Sequence, residues 1–155
     1  RAAKASEARW QKGTPQGALD GVPITIKENI ATRGVPVPLG TAATELVPAA
    51  DDAPASARVR EAGAVILAKT TMPDYGMLSS GRSSFHPLTR NPWNLAWNPG
   101  GSSAGAGAAA AAGYGPLHLG TDIGGSVRLP ASWNGIFTLK PSLGRVPVDP
   151  PFFGR

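Results

Sequence analysis

The sequence predicts an α/β domain in which helices pack against a β-sheet. Two observations carry that expectation. A strand–helix–strand succession occupies residues 21–69, and a helix–strand pair follows at 102–122. Alternating helices and strands call for a layered α/β domain, because each element must bury one apolar face against another layer.

The elements follow in order. RAAKASEARWQK (1–12) is rich in helix formers and stops at Gly13. GVPITIKENI (21–30) alternates Val22, Ile24 and Ile26, which is a strand pattern, and then breaks into a polar loop. DDAPASARVREAG (51–63) carries helix punctuation: Asp52 to cap it, Pro54 in the first turn, Gly63 to close it. AVILAK (64–69) follows at once as a strand of the buried type. Residues 79–101 form a long polar segment, and its tryptophans argue for a packed loop rather than a disordered one. SSAGAGAAAAAG (102–113) reads as a small-residue helix and PLHLGTD (116–122) as a strand. A Gly-Gly-Ser turn and a short helix near SVRLPAS come next, then a strand at IFTLK (136–140) ended by Pro141. No repeat or internal boundary interrupts the chain. Residues 1–155 therefore read as part of a single domain, cut at both ends: Arg1 falls within a helix and PPFFGR adds no closing element.

Composition excludes several classes. Hydrophobic residues are 41% and charged residues 16%, unlike a disordered chain. The 20 glycines and 16 prolines predict many turns. With no cysteine, the chain has no disulfide, thiol nucleophile or cysteine metal site, which fits a reducing, cytoplasmic setting. Two histidines and no HExxH pattern speak against a metal centre, so no cofactor is expected. The net charge of +5 comes from scattered basic residues rather than a cluster. A mildly basic surface is the simpler reading than a nucleic-acid site. No apolar run approaches the roughly 18 residues of a membrane span, and no signal peptide is visible.

Chemistry concentrates in three places. GGSSAGAG (100–107) admits competing readings. Gly105, Gly107 and Ala110 fit the GxGxxA dinucleotide fingerprint, but a loop precedes them where a strand is needed. A Walker loop fails for want of Gly-Lys-Ser/Thr. Gly101, Ser103 and Gly105 fit the GxSxG elbow, yet the one later histidine, His118, has no acid between it and Ser103. The remaining reading joins serines to a lysine. Ser126 lies in GTDIGGSVRLPAS (120–132), and Lys27 ends an apolar strand. A hydroxyl nucleophile needs a base, and a lysine serves once burial brings its pKa from about 10.4 to roughly 7 or 8.

Five segments in this order resemble the amidase signature family: GVPITIKENI, TRNPWN, NPGGSSAGAGAAAAAG, LGTDIGGSVRLPAS and NGIFTLKPSLGRVP. The resemblance runs from about Gly17 to Pro147. It implies a mixed β-sheet sandwiched between helices, incomplete in this chain because family members are much longer. It also implies a catalytic triad, with Ser126 as nucleophile, Ser102 as bridging serine beside a cis peptide bond, and Lys27 as base. Ser103 is then a helix-start serine. Backbone amides of Ile123, Gly124, Gly125 and Ser126 resemble the family's oxyanion hole. MPDYGMLSS (72–80) resembles the segment lining the acyl pocket, with Gly76 and Met77 as candidate substrate contacts. Asp122 is either a further substrate contact or, with Arg128, half of a buried pair holding the turn. The chain has GGSSAG where the family often has GGSSGG. The implied function is hydrolysis of a carboxylic amide through an acyl-serine, acting on a small-molecule amide, without nucleic acid or membrane and with homo-oligomerisation open. Alternatives are the amide-hydrolysing component of a tRNA-dependent amidotransferase and a non-catalytic fragment that keeps the scaffold.

Overall fold

The computed structural model describes residues 1–148. The closing PPFFGR segment lies outside them. The order of elements is α1 (Ala2–Gln11), β1 (Pro23–Lys27), α2 (Pro54–Glu61), β2 (Val65–Thr70), a 3-10 turn (Asp74–Gly76), α3 (Ala104–Ala111), β3 (Leu117–Leu119) and α4 (Arg128–Asn134).

The sheet is three-stranded with order β2-β1-β3. β1 pairs in parallel with both neighbours: Pro23 to Lys27 lie against Val65 to Thr70, and Ile24 to Ile26 against Leu117 to Leu119. Within the described residues the sheet is therefore parallel rather than mixed. Parallel strands require crossovers, and α2 and α3 supply them. As the central strand, β1 is buried from Ile24 through Lys27. β2 departs from the fully buried strand expected of AVILAK. Among the described strands it is an edge, and Leu67 is 57% exposed.

α3 packs across all three strands and against α4. Its small residues permit that approach. A Cβ on Gly105 would lie 2.4 Å from the Thr71 nitrogen, and one on Gly107 would lie 2.8 Å from Pro130 Cβ. The glycines that imitate a dinucleotide fingerprint thus serve close packing, and the residues before α3 form loop, not strand. α1 is tied down by Arg9, whose guanidinium donates to the Asp20 carboxylate at 2.8 and 2.5 Å.

Three sequence expectations need correction. Residues 136–140 form no strand; Phe137 and Leu139 are 92% and 76% exposed. A strand exists only by pairing, and no described strand lies beside this segment. Asp52 does not cap α2. The N-cap is Ala53, and the Asp52 carboxylate instead accepts from the Arg33 amide and the Arg60 guanidinium. The 79–101 loop is pinned, but not by buried tryptophans. Trp93 and Trp97 stay exposed. The loop is held by polar bonds to backbone: Asn91 Nδ2 to the Trp133 carbonyl at 2.8 Å, Trp93 Nε1 to the Asn134 carbonyl at 2.7 Å, and Asn134 Nδ2 to the Pro99 carbonyl at 2.6 Å.

Candidate active site

In parallel α/β sheets, sites form outside the carboxyl ends of the strands, where the strand order changes direction. Here β1 leads to β2 on one side, and the chain then returns to β3 on the other. Lys27 is the last residue of β1, and Thr121 follows shortly after β3. The candidate residues gather at that end.

Lys27 is fully buried. Its Nζ donates to Ser102 Oγ at 2.7 Å and to Thr121 Oγ1 at 2.9 Å. Burial brings its pKa down from the ordinary 10.5 to about 7, against the opposing pull of the Asp122 and Glu28 carboxylates. A lysine at that value is a usable base near neutral pH.

Ser102 follows a cis peptide bond from Gly101 and is buried. Gly101 has no room for a side chain: a Cβ there would lie 2.5 Å from both the Leu78 carbonyl oxygen and the Ser80 nitrogen. Gly76 borders the same serine, since a Cβ on it would lie 3.2 Å from Ser102 Oγ. Its neighbour Met77 is 80% exposed and forms no part of the core.

Ser103 stands at the N-cap of α3, but its hydroxyl caps nothing. It donates to the Thr121 carbonyl at 3.1 Å and accepts from the Thr121 amide at 3.3 Å. Its own amide donates to the Ser126 carbonyl at 3.0 Å. This residue laces the Ser102 loop to the Ser126 turn. The lacing leaves the GxSxG reading without a free nucleophile at Ser103. It also lacks its histidine, because His118 sits in β3 bonded to Thr25 Oγ1 at 2.8 Å.

Ser126 is half-buried, and its hydroxyl makes no hydrogen bond to another side chain among the described residues. The turn around it is organised by Asp122. That carboxylate accepts from the amides of Gly125 (2.7 Å), Val127 (3.1 Å) and Arg128 (3.3 Å), and from the Arg128 guanidinium at 3.0 and 2.9 Å. The Arg128 guanidinium foremost, with the amides, holds the Asp122 pKa well below the carboxylate range despite burial. Asp122 is thus committed to the turn and has no oxygen to spare for a substrate. The pair is only half buried, because Arg128 is largely exposed. Gly125's amide is likewise engaged by Asp122. The amides of Ile123, Gly124 and Ser126 donate to no acceptor among the described residues.

Two residues outside the sequence candidates enter the site. Asn29 Nδ2 donates to Thr121 Oγ1 at 3.0 Å, making Thr121 a junction between Lys27 and Asn29. Both lie inside motifs read for other residues, KEN and GTD, and polar side chains beside a buried lysine were the available signal. Glu28 is buried next to Lys27 and pairs with His86 Nε2 at 2.5 Å. Among the described residues no group of three or more His, Cys, Asp or Glu is placed to hold a metal ion. No described helix is long and apolar enough to cross a membrane.

The family model described as Amidase matches residues 1–151. The chain belongs to the amidase family. Its relatives include a glutamyl-tRNA(Gln) amidotransferase subunit from Symbiobacterium thermophilum, 48% identical over 145 residues, covering 93% of this chain and 30% of that protein. The indoleacetamide hydrolase of Bradyrhizobium diazoefficiens is 44% identical over 148 residues, covering 96% of this chain and 28% of that one. Among solved structures, an amidase crystal structure superposes with a TM-score of 0.89 at 39% identity, covering 95% of this chain and 34% of the other. This amidase chain therefore spans about 30% of the length of the curated relatives it matches.

Proposed function

We propose that the protein carrying this chain hydrolyses a carboxylic amide C–N bond through an acyl-serine intermediate. The observation that carries the reading is the contact between Lys27 and Ser102: a fully buried amine with a pKa near 7, 2.7 Å from a serine hydroxyl. Lys27, as neutral base, takes the Ser102 proton while Ser102 takes the proton of Ser126. Ser126 Oγ bonds to the carbonyl carbon. The relay then runs backwards, protonating the amine nitrogen as the C–N bond breaks. Water, activated by the same relay, cleaves the resulting ester and restores Ser126.

The negative charge on the carbonyl oxygen needs amide donors. Ile123, Gly124, Gly125 and Ser126 are the candidates, with Gly125 engaged by Asp122 and the other three without an acceptor among the described residues. A lost oxyanion donor costs roughly 3 kcal/mol of transition-state stabilisation. Gly76 and Met77 are proposed to border the acyl group, on the strength of Gly76's place beside Ser102. The substrate is a small amide, and the reading includes a cytoplasmic setting and no direct nucleic-acid contact.

A second reading rests on the 48% identity to a component of a glutamyl-tRNA(Gln) amidotransferase. In it the same chemistry releases ammonia from glutamine inside a multi-protein assembly. Glutamine as preferred substrate, and activity that depends on partner proteins, would select this reading over a free-standing hydrolase.

The test is labelling of the full-length protein with a fluorophosphonate, followed by peptide mapping. The expected adduct is on Ser126 and disappears in Lys27→Ala. An adduct on Ser103, or none on any serine, would sink the proposal and leave a binding scaffold.

A further inference from the structure

Lys27 Nζ has two partners, and only one is Ser102. The other, Thr121 Oγ1, is held in turn by Asn29 Nδ2 at 3.0 Å. The Thr121 backbone is fixed separately, through both of its bonds to the Ser103 hydroxyl. Asn29 lies two residues past the end of β1, and Thr121 two residues past the end of β3. These strands run in parallel, so their carboxyl ends bring the two side chains together. The amide oxygen of Asn29 is buried and has no partner among the described residues. An unpaired buried polar atom is destabilising, so stability alone does not account for an asparagine here.

We propose that Asn29 is a positioning residue that acts through Thr121 to hold the Lys27 amine with its lone pair toward Ser102. The inference rests on the amide-hydrolase reading above. A neutral amine has one lone pair and two hydrogens. Lysine's long, flexible stem leaves Nζ free to turn unless a second contact fixes it. Thr121 Oγ1 supplies that contact by accepting an N–H, which leaves the lone pair for the Ser102 proton. If the Thr121 hydroxyl turned its own hydrogen toward Nζ, it would compete with Ser102 for that lone pair. Asn29 holds the Thr121 hydroxyl in the accepting position. The charged groups that face Lys27 are Glu28, next in the chain, and Asp122, from the Ser126 turn. Substitution at Asn29 leaves both unchanged.

The experiment measures the rate of fluorophosphonate labelling at Ser126 against pH, in the full-length protein. The wild-type rate is expected to fall on the acid side with a midpoint near 7, set by Lys27. Asn29→Asp keeps the shape, replaces the amide donor to Thr121 with a carboxylate oxygen, and adds a negative charge near the amine. Its midpoint is expected to rise by about one pH unit. Thr121→Val removes an acceptor that favours the ammonium form, so its midpoint is expected to fall, with a rate loss of about tenfold at the plateau. Asn29→Ala is expected to lose about tenfold in rate with an unchanged circular dichroism spectrum. An unmoved midpoint in Asn29→Asp, or wild-type labelling in Asn29→Ala, overturns the proposal. Should Asn29→Ala fail to fold, the near-isosteric Asn29→Leu, which also lacks the donor to Thr121, decides in its place: about tenfold loss in labelling rate is expected and wild-type labelling overturns the proposal. Wild-type protein that is not labelled at Ser126, or labelling that survives Lys27→Ala, overturns the hydrolase reading itself and this inference with it.

Discussion

Lys27 and Lys69 sit on adjacent strands, one register step apart: Lys69 lies opposite Ile26 and Lys27 opposite Thr70. Burial lowers the pKa of both, to about 7 for Lys27 and about 8 for Lys69. By titration alone the two would look alike. Their partners differ. Lys69 donates to the Ile30 carbonyl and to Thr32 Oγ1 at 2.7 Å, so it ties the loop after β1 to β2. The Ile30 carbonyl can only accept, and the Thr32 hydroxyl hydrogen has acceptors of its own in the Ile30 carbonyl at 3.4 Å and Ser56 Oγ at 3.3 Å, so neither partner passes a proton from a nucleophile. Lys27 faces the Ser102 hydroxyl, which has a proton to give. Desolvation makes an amine available as a base, and the group it points at decides whether it works as one.

The sharpest way to break the comparison is the same substitution at both lysines. Lys27→Met is expected to slow Ser126 labelling by roughly three orders of magnitude, the scale of a lost general base. Lys69→Met should change it by no more than about threefold, since it lies outside the proposed relay. Equal losses at the two positions would mean that both act by supporting the fold. Stability sharpens the same contrast. Folded Lys27 loses its proton near pH 7, whereas in the unfolded chain it titrates near 10.5. Between those values the unfolded chain binds more protons, so stability rises with pH across that window. Lys27→Met should flatten the rise and melt at or above the wild-type temperature at pH 7. An inactive variant that is no less stable is the mark of a residue kept for chemistry.

The next effect belongs to the Ser126 turn. Asp122→Asn replaces a carboxylate that accepts five hydrogen bonds with a group that turns a donor toward some of the same amides. A loss of about 2–3 kcal/mol is expected, read from the denaturant midpoint, together with weaker Ser126 labelling. The sign in acid follows from the depressed pKa. The wild-type turn is fully stabilised above the ordinary 3.8 and loses that contribution as pH falls below it. The asparagine variant should lose less stability over the same acid range.

Much of this was legible in the sequence. β1, α2, β2, α3 and α4 follow from periodicity, Pro54 in a first turn and glycines at helix ends, because local propensity and tertiary packing agree there. Lys27 could be singled out because VPITIKENI surrounds a lysine with apolar strand residues. What escaped depends on distant partners. IFTLK has a strand's composition but no neighbour among the described strands, and composition cannot supply one. Thr121 and Asn29 are 92 residues apart and acquire a role only where the ends of β1 and β3 meet. Asp52 has a cap's position and a cap's chemistry, yet Arg60 and the Arg33 amide compete for its oxygens and win.

The smallest expected effect is the conservative exchange at Lys69. Lys69→Arg keeps a cation and donors that can reach the Ile30 carbonyl and Thr32, and the site is only half buried. Stability should change by less than about 1 kcal/mol, and labelling at Ser126 should stay near wild type with its acid midpoint still near 7. Lys27→Arg retains charge just as well, but a guanidinium does not give up its proton in this pH range. It should be as inactive as Lys27→Met. One exchange, tolerated on β2 and ruinous on β1, would separate a lysine that holds structure from one that must lose a proton. If Lys27→Arg still labelled, the amine would be acting as a fixed charge, and the base would have to be sought elsewhere.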